Sequence, residues 1–139
     1  MANYSFGTVV SNIKKLADEG RPLIAAIEKH ITTDLVSHLK VEPDNNKSPY
    51  KLQVSLHGVR LLFRVELFME KSVGEGNVCA YILLSDLSGK LTEDSQVAKH
   101  KFPNYSMAGC IIEDERKKFA REILVMVSDA LANAVLKLQ

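Results

Sequence analysis

From Tyr50 to Val65 apolar and polar positions alternate about the dipeptide His57-Gly58, a pattern that predicts a two-residue β-hairpin. In that register Leu56 faces Val59, Val54 faces Leu61, Leu52 faces Phe63 and Tyr50 faces Val65, so one side of the ribbon is wholly apolar. The other side pairs Ser55 with Arg60, Gln53 with Leu62 and Lys51 with Arg64. A one-residue slip would exchange the two sides, so the pattern sets the register as well as the strands.

Elsewhere the apolar spacing changes period. From Thr8, Val9, Ile13, Leu16 and Ala17 recur at helical intervals, and Leu23, Ile24, Ile27, Ile31 and Leu35 resume the pattern after Gly20-Arg21-Pro22. The interruption predicts a kinked N-terminal helix in two segments, with Pro22 in the first turn of the second. Glu42 to Pro49, with two prolines and two adjacent asparagines, reads as a loop. The second hairpin strand runs on through Val65, Leu67 and Met69 to a turn expected at Gly74-Glu75-Gly76-Asn77. Val78 to Leu84 follows as a strand apolar on both sides, the pattern of a central strand covered on each face. A fourth strand is expected near Val97, His100 and Phe102, ending at Pro103. Glu113-Asp114-Glu115 then places carboxylates where a helix N-terminus favours them, and the helical pattern runs to about Leu138.

Helix, consecutive antiparallel strands, helix: the simplest layering is an α+β domain spanning residues 1–139, with a sheet of three to five strands and both helices on the hairpin's apolar face. A chain of 139 residues with 46% hydrophobic and 25% charged residues suits one compact core. Its formal charge of +1 provides no global field toward nucleic acid or anionic membrane. Cys79 and Cys110 lie among apolar residues without metal-ligand or redox spacing, which reads as two reduced thiols in a cytoplasmic protein. The N-terminus lacks the pattern of an export signal, and no run approaches the ~18 apolar residues of a membrane span.

Three constellations could carry function. The C-terminal helix is apolar on more than one side: Phe119, Ile123, Val127, Ala130, Ala134 and Leu138 form one face, while Val125, Ala132 and Leu136 lie away from it among Ser128, Asp129 and Asn133. With Leu62 and Phe68, two large apolar side chains on the charged side of the ribbon, these residues mark a partner-binding surface. His30, Asp34 and His38 recur every fourth residue on the first helix and could supply two or three ligands to a metal or small molecule held between helix and sheet. Lys51, Arg60 and Arg64, with Lys99, His100, Lys101, Phe102 and Tyr105 nearby, could hold phosphates while bases stack, although Glu66 and Glu70 share the ribbon's charged face.

The sequence holds no GxSxG elbow, no glycine loop ending in GK[ST], no HExxH and no cysteine at a recognisable spacing from histidine. No cofactor is expected and enzymatic activity is disfavoured. The leading expectation is a non-enzymatic protein–protein interaction module, of adaptor, inhibitor or chaperone-like kind, that forms a homodimer and binds a further protein. A ligand or metal site comes second and nucleic acid third; no membrane partner is expected.

Overall fold

The computed structural model describes residues 5–34, 40–41, 48–71, 73–85, 91–103 and 113–138. Helix α1 (Phe6–Asp34) is followed by β1 (Lys40–Val41), β2 (Lys51–Leu56), β3 (Val59–Glu70), β4 (Val73–Ser85), β5 (Leu91–Lys101) and helix α2 (Glu113–Ala132). The strands form one antiparallel sheet in the order β1-β2-β3-β4-β5, with β1 a two-residue edge. This is the α+β arrangement expected, and α1 packs on β3 and β4, α2 on β5, and the helices on each other.

The β2–β3 ribbon has the predicted register, from Lys51 opposite Arg64 to Leu56 opposite Val59. His57 and Gly58 both take positive φ, 45° and 90°, as a two-residue turn that follows the strands' right-handed twist requires. The Val65 amide donates to the Tyr50 carbonyl at 2.9 Å, extending the pairing by one rung. Leu52, Val54, Val59, Leu61 and Phe63 on the inner face join Val78 and Ala80 of β4, and Leu23, Ile27, Ile31, Phe119, Ile123 and Val127 of the helices close the same core.

Several boundaries differ from the expectation. Helix α1 is continuous through Pro22, and no break separates two segments. Its apolar stripe stays in phase across the proline, so burial of Leu23, Ile24 and Ile27 offsets the ~3 kcal/mol that an interior proline costs. Gly20 is a contact residue instead: a Cβ there would lie 2.8 Å from a Val65 methyl and 3.0 Å from Phe102. The helix also begins two residues before Thr8, where the Ser5 hydroxyl accepts a hydrogen bond from the Thr8 amide at 3.1 Å and caps it.

The chain reverses between Glu70 and Val73, which pair directly, with Lys71 at φ 49°, and Gly74 to Asn77 belong to β4. Helix α2 ends at Ala132, six residues short of Leu138. The Asn133 and Ala134 amides reach back three residues, to Ala130 and Leu131, and the Asn133 side chain donates to the Asp129 carbonyl at 3.0 Å. These bonds tighten and satisfy the last turn, so the polar residue closes a helix that apolar content alone would extend. Strand β5 starts at Leu91, inside a stretch that reads as polar, and ends before Phe102-Pro103 as expected. The loop expected over Glu42–Pro49 lies mostly outside the described residues.

Candidate functional site

Opposite the helices, the sheet presents Leu62, Arg64, Glu66 and Phe68 from β3 beside Cys79, Tyr81 and Leu83 from β4. Alternation along two paired strands places these side chains on one face. At its centre is a polar cluster. The Tyr81 hydroxyl donates to the Glu66 carboxylate, and Arg64 donates to the same carboxylate at 3.1 Å while its guanidinium lies 4.9 Å from the Tyr81 ring centroid. The Gln96 amide reaches the Tyr81 oxygen at 3.3 Å, and the Cys79 thiol hydrogen-bonds to Glu66.

The electrostatics keep Glu66 ionised and Tyr81 and Cys79 protonated. Burial favours the neutral form of Glu66, but the hydrogen bonds from Tyr81 and Arg64 outweigh it and hold the carboxyl below its ordinary value. Burial, then the hydrogen bond to Glu66, raises Tyr81. Burial followed by the Glu66 charge pushes the Cys79 thiol up to about 11, the reverse of an activated nucleophile. Cys79 of the central strand is buried on this face, flanked in the register by Arg64 and Lys99.

Because its folded pKa is depressed, Glu66 contributes stability above its unfolded value near 4.5 and loses it as pH falls through the lower folded pKa. Glu66→Gln is therefore expected to reduce the loss of stability between pH 6 and pH 3, read from urea midpoints. A pH dependence identical to that of the parent would show that the cluster is not a proton-linked contact.

The basic residues proposed for nucleic acid are only partly assembled. Lys51 faces Arg64 as predicted, but Arg64 is engaged with Glu66 and Tyr81, and Lys101 pairs with Glu75 at 3.4 Å. His100 lies on the inner side, its ring 4.4 Å from that of Phe119 and its Nε2 2.7 Å from Glu122, where it ties β5 to α2. Tyr105 is outside the described residues.

The five partner-binding candidates fall on two sides of the molecule. Leu62 is half-buried and Phe68 is 62% exposed on the outer sheet face, whereas Val125, 58% exposed, and Ala132 lie on α2, across the sheet. Leu136 lies beyond the helix, in a cleft with Val59, Ile82 and Val97. Of the histidine array, His30 is half-buried beside a groove between the two helices. Asp34 is the last residue of α1 with its side chain outside the description, and His38 is outside the described residues. Among the described residues no three His, Cys, Asp or Glu side chains gather as metal ligands, and no helix is long and apolar enough to cross a membrane.

One surface escaped the sequence reading. Phe6, Val10 and Ile13 are exposed large apolar residues on the first turns of α1, and Phe6 is 84% exposed. They continue the spacing of Ala17, Gly20, Ile24, Ile27 and Ile31, alternating steps of four and three that hold one side of a helix. Leu16 packs at Gly74, near the β3–β4 turn, so the residues before Ile13 run toward and past the end of the ribbon. Val73, 70% exposed, and Phe68 lie near the same end on the other face. The signal was present in the spacing, but residues before Thr8 read as a non-helical terminus.

These features define a two-layer α+β domain with exposed apolar surface at one end and a polar cluster centred on the Glu66 carboxylate on the sheet face opposite the helices. No protein-family model, curated protein or solved structure matches the chain.

Proposed function

We propose that this chain is a non-enzymatic protein-interaction module that works in the cytoplasm as a homodimer. The observation that supports it is the α1 stripe, buried from Gly20 to Ile31 yet exposed at Phe6, Val10 and Ile13. Paired antiparallel about a two-fold axis, two such segments set Phe6 of each copy near Ile13 of the other, with Val10 at the centre. Residues 5–13 carry no ionisable side chain, so the pairing brings no like charges together. Phe68 and Val73, at the same end, extend the apolar surface toward a further protein.

Light scattering on the purified chain is expected to give twice 15.5 kDa, and Val10→Asp with Ile13→Asp to give 15.5 kDa with helicity retained. Both changes fall on exposed positions, where a charge is tolerated in the monomer. A parent chain that stays at 15.5 kDa at every concentration would overturn the homodimer.

A further inference from the structure

The side of the two helices turned away from the sheet contains a groove of about 470 Å³. Its apolar lining is small, with Pro22, Ala25 and Ala26 from α1, so another backbone can approach closely. Its charged lining is one-sided. Lys29 comes from α1 and Arg116, Lys117 and Arg121 from α2, against a single carboxylate, Glu113, among the described residues. Four cations and one anion on one groove, in a chain whose total formal charge is +1, concentrate positive potential at this place.

Among the described residues the groove's cations outnumber the carboxylates that line it. Glu113 lies 3.9 Å from Lys29 and 3.7 Å from Lys117, bridging the two helices and marking where a carboxylate sits between them. Arg116 Nε is buried without a hydrogen-bond partner among the described residues. A buried donor left unpaired is unfavourable, and an incoming acceptor removes that penalty. The neighbouring Glu115 lines a different cleft, with His100 and Phe102.

We propose that the α1/α2 groove docks an acidic peptide segment of a partner protein, its carboxylates meeting Arg116, Lys117 and Arg121 and its small or apolar side chains lying on Ala25 and Ala26. A guanidinium presents its donors as a planar fork that matches a carboxylate. The groove runs between two helices, a form that suits a laid-in peptide segment. From Pro22 to Thr33 the α1 wall spans about 16 Å at 1.5 Å per residue, about three turns of a bound helix. This site does not rest on self-association, because a monomer retains it.

The test is selection of a random twelve-residue peptide library on the full chain, with a parallel selection on Lys117→Glu/Arg121→Glu. Both positions are exposed, so the variant keeps the fold, as circular dichroism would verify. The expected result is enrichment of acidic sequences on the parent alone. Fluorescence anisotropy with an enriched peptide should then show binding about tenfold weaker to Arg121→Glu, weaker with added salt, and unchanged for Val10→Asp. No enrichment, enrichment without acidic excess, equal binding to Arg121→Glu or loss of binding in Val10→Asp would each overturn the proposal.

Discussion

Phe63→Ala is expected to lower the unfolding free energy by about 3–5 kcal/mol. Phe63 is completely buried on the inner face of β3, with Leu52 opposite it on one side and Ala80 on the other. Ala80 in turn pairs with Ala98, so the row across the sheet reads Leu52, Phe63, Ala80, Ala98. Two alanines side by side leave a hollow under the helices that the phenyl ring fills, and neither has a side chain able to move into the space once the ring is gone. The void therefore persists, which places the loss toward the top of the range for a phenylalanine truncation. Domains are stable by only ~5–15 kcal/mol, so the variant would lose a third or more of its stability. Urea unfolding followed by circular dichroism measures this directly. Phe63→Leu, which keeps most of the volume, should cost under about 1.5 kcal/mol. Equal, small losses for both variants would mean that the ring does not support the helix layer.

The hairpin was legible because two independent signals agreed: a two-residue turn and a period-two pattern that makes every residue of one face apolar. Helix α2 announced its start through Glu113, Asp114 and Glu115, for the helix end attracts carboxylates whatever the tertiary context. What could not be read were residues whose role depends on a partner distant in sequence. Gly20 and Pro22 look like a break, but Gly20 is where α1 meets Val65 and Phe102. Gly74 to Asn77 look like a turn, and placing one there would set Tyr81 opposite Glu70. The observed reversal between Glu70 and Val73 sets Tyr81 opposite Leu62 and within reach of Glu66. The polar cluster of the outer face was hidden for that reason, although its members Arg64, Glu66 and Tyr81 were all visible on the strands. The inter-helix groove was hidden similarly: Lys29 and Arg121 are 92 positions apart and meet only because the helices pack side by side.

Gly76→Val should destabilise the fold by about 3 kcal/mol, and the reason lies in one ring. A Cβ on Gly76 would fall on the edge of the Phe102 ring, whose Cζ also lies against Gly20 of α1. Phe102 is thus held between a strand glycine and a helix glycine, and it fixes how closely α1 approaches β4. The Phe102 amide donates to the Gly76 carbonyl at 2.9 Å, so the backbone that carries the ring stays beside the residue that the substitution enlarges. Relief by lifting α1 from the sheet would open the core around Leu23 and Ile27. The double-mutant cycle of Gly76→Ala with Phe102→Leu separates this contact from the general intolerance of a buried strand. Each change alone is expected to destabilise, whereas together they should cost less than their sum by about 1 kcal/mol or more, since the smaller side chain makes room for the new methyl. Strict additivity would place the cost in β4 itself and leave the helix-to-sheet spacing to other residues.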